Sequence, residues 1–182
     1  MYTCSDLDQH LPQETASVRG SPRTLSDLGP TLIRSKLQVP TPSGLLHRSR
    51  LCHAIEDGLS RKLTLISAPA GYCKTSALVD FVRHTDVPVC WYTVDERDRD
   101  VSLFIRYVVA AIREQFPGFG VHTREALASR SGELFRDPTA VIGDLVNEML
   151  DLGTSFALVI DNFEPVDGAF GIREFLHRLL EV

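Results

Sequence analysis

One stretch limits what this chain can become. SAPAGYCKTS, Ser67 to Ser76, lies between the apolar run Leu63-Thr64-Leu65-Ile66 and the helical pattern Ala77-Leu78-Val79-Asp80-Phe81-Val82. A short β-rich segment, a Gly/Pro/Ala turn and a Lys-Thr pair opening a helix make the layout of a phosphate-binding loop. In that layout backbone N–H groups and the helix N-terminus cradle phosphates, Lys74 reaches the β/γ oxygens and the Thr75 hydroxyl ligates Mg²⁺. The strict pattern GxxxxGK[ST] is not met, because Ala68 stands at the first glycine and Cys73 at the second. The competing reading is a plain strand-to-helix turn with Lys74 as a solvated first-turn lysine. A second site decides between them: an acid at the end of another buried strand, able to hold the magnesium water shell.

Phe156-Ala157-Leu158-Val159-Ile160-Asp161 supplies it. Five apolar residues followed by an acid are expected of a buried parallel strand, with the acid at the carboxyl end where open α/β sheets bind ligands. Taken alone, Asp161 is equally a turn or cap aspartate. Paired with the upstream loop, it reads as the magnesium-organising carboxylate.

The remaining segments fit an alternation of strands and helices. Leu51, Ala54, Ile55 and Leu59 predict an amphipathic helix ahead of the first strand, Lys62 to Ser67, with Arg48 and Arg50 just before it. Lys74 to about His84 is the helix leaving the loop, and Pro88 to Val94 is a second strand by its aromatic and β-branched content. Phe104, Tyr107, Val108, Ala111 and Ile112 mark the buried stripe of the next helix, ended by Pro117-Gly118. A short helix is expected near Arg124 to Ala128, a cap at Asp137-Pro138-Thr139, and an amphipathic helix over Val141 to Leu150, stopped near Gly153. Residues 1–30 are polar and aperiodic and read as a disordered tail.

Composition removes several function classes. At 182 residues the chain suits one domain, here residues 31–182, and the net charge of −5 gives this segment no general attraction to nucleic acid or anionic lipid. Cys4, Cys52, Cys73 and Cys90 form no CxxC pair, and the six histidines are too scattered to complete a zinc site. They read as reduced thiols. The N-terminus MYTCSDLDQHLPQE lacks the form of a signal peptide and no apolar run approaches membrane-spanning length, so a cytoplasmic setting is expected.

TLIRSKLQVP, LLHRSRL, SAPAGYCKTS, CWYTVDERD and LVIDNFEPV, taken in that order, carry a resemblance. The chain resembles, over roughly residues 31–170, the N-terminal NTPase module of MalT-like, LuxR-class large ATP-dependent transcriptional regulators, the STAND P-loop NTPases. The resemblance implies a P-loop NTPase fold, a three-layer α/β/α arrangement around a parallel sheet, incomplete at the C-terminus because the sequence ends within an expected helix, Ile172 to Leu180. It implies ATP and Mg²⁺ as cofactors and ATP/ADP as ligands. The phosphate loop falls on Ala68, Pro69, Ala70, Gly71, Tyr72, Cys73, Lys74 and Thr75, the magnesium ligands on Thr75 and Asp161, and the adenine side near Arg48 and Arg50, whose alternative reading is a solvated pair. Further partners are downstream sensor and DNA-binding domains of a longer protein, with self-association left open and no direct nucleic-acid or membrane binding by this segment.

Two positions depart from the family. It has glycine at Cys73, where the backbone must approach the phosphates closely. It commonly has a second acid at Asn162, and a carboxamide cannot serve as a base. Weak ATP hydrolysis at most is expected, unless Glu96 or Glu164 supplies the carboxylate. The leading expectation is therefore a nucleotide-dependent switch. The alternative is a degenerate scaffold that binds no nucleotide, and a small-molecule kinase using the same loop stands third.

Overall fold

The aromatic and β-branched run Val89–Thr93 forms β1 and the aliphatic run Ala157–Asp161 forms β2. They pair in parallel, Val89 opposite Ala157 and Thr93 opposite Asp161, so both strands end side by side. The structure is a computed structural model that describes residues 32–129 and 141–181. The tail expected over residues 1–30 and the cap expected at Asp137-Pro138-Thr139 lie outside them.

A parallel pair needs a long crossover, and here it runs through α3 (Val101–Gln115), α4 (Val121–Ser129) and α5 (Ile142–Asp151). Helices α1 (Ser49–Gly58) and α2 (Lys74–His84) precede β1, and α6 (Phe170–Glu181) follows β2. Strand side chains alternate between faces. Cys90, Tyr92, Leu158 and Ile160 join a core with α3, α5 and α6, whereas Val89, Trp91, Ala157 and Val159 join a second core with α1 and α2. The result is an α/β arrangement with helices on both faces of a parallel sheet, compatible with a P-loop-like fold.

The helices obey their sequence signals closely. All five stripe residues of α3 are buried, and so are Ile105, Val109 and Ala110, so α3 is enclosed rather than half-exposed. Asp100 caps it by accepting from the Leu103 N–H at 2.8 Å. At about 1.5–3 kcal/mol for each large apolar side chain buried, α3 is the main anchor of its face of the sheet.

The expected strand Lys62 to Ser67 is not formed. Leu63 and Leu65 are 61% and 82% exposed, and the sheet contains only β1 and β2 among the described residues. A strand needs a neighbour to take its N–H and C=O groups, and no described strand lies beside this run. Side chains tether it instead: Lys62 Nζ donates to the Leu180 carbonyl at 3.2 Å and Thr64 Oγ1 to the Gly58 carbonyl at 3.0 Å.

At the carboxyl end of β1 a buried ion cluster fixes the N-terminal segment to the sheet. Lys36, in a 3-10 turn at Arg34–Leu37, sends Nζ to both Asp98 carboxylate oxygens at 2.7 Å and to Asp95 Oδ2 at 2.8 Å, with the Tyr107 ring 4.8 Å below. Burial works against the Lys36 charge, but the hydrogen bonds it donates to Asp95 and Asp98 outweigh that and raise the lysine above its ordinary value. The Lys36 hydrogen bond holds Asp95 below the usual carboxylate range.

Two outcomes follow from this cluster. Lys36→Ala leaves Asp98, 0% exposed, without its cation, and urea denaturation is expected to show a loss of about 3–5 kcal/mol. The stability linked to Asp95 is present above its unfolded pKa of about 3.9 and is lost as pH falls through the lower folded value, while that linked to Lys36 is present below about 10.4 and is lost as pH rises through the higher folded value. Urea midpoints measured across pH are expected to trace that plateau in the wild type and to flatten at both edges in the variant.

Candidate functional site

The turn before α2 is built on two residues with left-handed backbone, Gly71 at φ 83° and Cys73 at φ 56°, ψ 35°. Glycine adopts this conformation freely, but an L side chain there costs about 1–2 kcal/mol. Cys73 thus takes up a conformation that glycine favours. Cys73 is the residue immediately before α2, and its carbonyl accepts the Ala77 N–H at 3.0 Å. It provides no side-chain cap to the helix. The first-turn N–H groups of α2 are therefore not taken up by a cap side chain, which is the condition under which a helix N-terminus attracts an anion.

Lys74 bends back over this turn. Its Nζ donates to the carbonyls of Ala68 at 2.6 Å and Pro69 at 3.4 Å and stands 3.4 Å from Glu164 Oε1. The Thr75 hydroxyl reaches across to β2 and lies 3.0 Å from both Asp161 oxygens. Asp161 is 7% exposed at the carboxyl end of its strand. Lysine, threonine and two carboxylates thus meet where the loop faces the end of the sheet.

Asn162 has a structural task. Its backbone is left-handed at φ 58°, a conformation asparagine tolerates better than most residues, and its Nδ2 donates to the Val94 carbonyl at 2.9 Å. An ionised carboxylate at this position has no proton to donate, so the amide closes the β1–β2 end in a way aspartate cannot.

The other predicted site residues are dispersed. Ala68 is partly buried, and Pro69, Ala70, Gly71 and Tyr72 are exposed along the loop, Tyr72 to 69%. Glu164 reaches the lysine, whereas Glu96 is exposed in the 3-10 turn Glu96–Arg99. Asp95, considered as a phosphate-facing acid, is committed to Lys36 and to capping that turn, where it accepts the Arg97 N–H at 2.8 Å. The side chains of Arg48 and Arg50 are exposed at the start of α1, and the Arg48 N–H donates to Asp80 Oδ2 at 2.6 Å. Asp80 lies six residues along α2 from Lys74, about 9 Å of helix axis away. Trp91 and Tyr92 are core residues, 2% and 0% exposed. The Asn162–Val94 and Lys74–Glu164 contacts have no sequence signal beyond proximity to Asp161.

The chain is similar to proteins named HTH-type transcriptional regulator MalT. It is 29% identical over 136 residues to the one from Yersinia pestis (strain Pestoides F) and to the one from Yersinia pseudotuberculosis serotype O:3 (strain YPIII). It is 30% identical over the same length to the one from Serratia proteamaculans (strain 568). Each match covers 74% of this chain but 15% of the relative. No family model matches the chain. The relationship is MalT-like, at modest identity, and the chain spans a small part of those regulators.

Cys73→Gly is expected to raise stability by about 1 kcal/mol through release of the left-handed strain, read from urea unfolding. Asn162→Asp is expected to lower it by about 1–2 kcal/mol, because the Val94 carbonyl loses its donor. No change in the first variant would mean that the cysteine is unstrained at that turn.

Proposed function

We propose that this chain is the nucleotide-binding part of a MalT-like transcriptional regulator, a switch module that holds ATP·Mg²⁺ at the loop between Ala68 and Thr75. The observation that carries this reading is the meeting of Thr75 with Asp161 beside Lys74. A hydroxyl that donates to a carboxylate at 3.0 Å is placed to share a divalent cation with it, and a lysine on the adjoining turn is placed to neutralise phosphate oxygens.

The residues present fit such a ligand. The first turn of α2 provides N–H groups and a helix dipole for phosphate, Lys74 a cation, and Thr75 with Asp161 the oxygens for magnesium. Magnesium, when bound, offsets phosphate charge. The protein's part is to orient the phosphates against the α2 terminus and to hold the cation between the loop and β2. Lys74 must leave the Ala68 and Pro69 carbonyls to meet a phosphate, so binding exchanges two neutral acceptors for a charged one.

Hydrolysis is at most weak in this reading. Asn162 is tied to Val94, and the carboxylate nearest Lys74 is Glu164, 73% exposed on its side chain. Such a carboxylate is well hydrated and poorly fixed, which suits slow turnover. The nucleotide acts through the conformation it favours, read by regions of the longer regulator. The names of the relatives support transcription regulation as the output; STAND-type assembly and a LuxR-class DNA-binding domain belong to the same proposal.

Calorimetric titration with ATP and ADP, with and without Mg²⁺, tests the reading. The wild type is expected to bind in a Mg²⁺-dependent manner, with Lys74→Ala and Asp161→Asn each weakening ATP by at least about tenfold, roughly 1.4 kcal/mol. Cys73→Gly is expected to bind at least as tightly as wild type. Equal and negligible binding by wild type, Lys74→Ala and Cys73→Gly would leave a scaffold without nucleotide, and phosphate transfer to an added metabolite would identify a kinase instead.

A further inference from the structure

At the opposite end of α2 from the loop, four metal-ligating side chains converge. His47 lies just ahead of α1, Cys52 is on α1, and Asp80 and His84 are one turn apart on α2. Each offers one donor atom, and all four lie within 4.8 Å of one another, the one such group found among the described residues. His47 Nδ1 is 3.0 Å and His84 Nδ1 3.3 Å from Asp80 Oδ1, while Cys52 Sγ is 3.2 Å from Asp80 Oδ2. A tetrahedral site with metal bonds of about 2.0–2.3 Å has edges of about 3.3–3.7 Å. The His47 and Cys52 contacts, each to one of the two Asp80 oxygens, are somewhat shorter than those edges, and one donor atom from each of the four residues lies within 4.8 Å of the rest.

The surroundings are those of a built site. Cys52 and Asp80 are buried, 7% and 2% exposed, whereas the imidazoles of His47 and His84 are half-exposed and form its outer side. The two imidazoles lie side by side, ring centroids 4.2 Å apart, over a cavity of about 150 Å³ that His53 and Glu56 also border. Asp80 is oriented from behind by the Arg48 N–H at 2.6 Å, and His84 Nδ1 lies 2.7 Å from the Asp80 backbone carbonyl. The Arg48 bond is of the kind that fixes ligand carboxylates around protein-bound metals, and the carbonyl beside His84 Nδ1 keeps that ring's proton on Nδ1 and leaves Nε2 as its metal-binding nitrogen.

We infer that His47, Cys52, Asp80 and His84 bind one zinc-type divalent cation, which joins α1 to α2. Two nitrogens, a sulfur and an oxygen suit a borderline-soft d-block ion, and they offer too few oxygens for calcium or magnesium. Four protein ligands fill a tetrahedron, so the role is structural. Cys52 binds as the thiolate, its proton passing to solvent, and no electron is transferred. The ion secures α1 on the C-terminal half of the helix whose first turn carries Lys74 and Thr75. The cation site shares no residue with the loop site and forms with or without nucleotide.

Cobalt(II) titration of the whole chain, purified reduced and treated with chelator, is the test. One equivalent of Co²⁺ is expected to give the intense visible bands of a tetrahedral centre together with a sulfur-to-cobalt charge-transfer band, and one equivalent of Zn²⁺ to erase both. His47→Ala/His84→Ala, which removes two half-exposed rings, is expected to keep the far-UV circular dichroism of the wild type while losing the tetrahedral bands. Cys52→Ser is expected to lose the charge-transfer band, and Zn²⁺ to raise the melting temperature of the wild type but not of the double variant. A wild type without stoichiometric Co²⁺ uptake, or a folded double variant with an unchanged cobalt spectrum, would overturn the site.

Discussion

Thr75 and Asp161 stand 86 positions apart in sequence, and their hydroxyl–carboxylate contact brings the first turn of α2 to the carboxyl end of β2. The remaining geometry of the candidate site depends on this tie. A buried carboxylate must find partners, and hydrogen bonds to a charged group contribute about 1.5–3 kcal/mol, more than a neutral bond. With the tie in place, Lys74 and Glu164 face each other across the same gap. Without it, the loop would be a turn between an unpaired segment and a helix.

Cys73 and Asn162 share a left-handed backbone, but they answer different demands. At Cys73 the turn requires the conformation and the side chain contributes little, so the cysteine carries strain in order to preserve the loop. At Asn162 the side chain suits the conformation and also donates to Val94. The same departure from a family pattern is thus a cost at one position and a fitted part at the other. Sequence comparison alone treats both as losses.

Helical periodicity made α1, α2, α3, α5 and α6 legible, because each buries one face and its apolar spacing reports that face. β1 was legible from its aromatic and β-branched content, and β2 from an apolar run that ends in an acid. Lys62 to Ser67 carries a similar apolar run yet forms no ladder, since pairing belongs to neighbours and not to the run itself. The end-of-strand rule pointed to Asp161, and Thr75, the neighbour of Lys74, meets it there. The Lys36 cluster was not foreseen, because a lysine in a polar segment signals solvent until its two aspartates are seen to close over it. Nor was the His47–Cys52–Asp80–His84 group, whose members are scattered in sequence and meet only where α1 crosses α2.

The most direct measurement replaces magnesium with paramagnetic Mn²⁺, added together with ATP, while amide resonances of the labelled chain are followed. Relaxation by the ion falls steeply with distance, so it reports position rather than affinity. Selective loss of the Cys73, Lys74, Thr75, Asp161 and Asn162 signals is expected, dependent on the nucleotide and absent in Asp161→Asn. Broadening centred on Asp95 and Asp98, or spread evenly over the other carboxylates, would contradict a magnesium–nucleotide site at the loop.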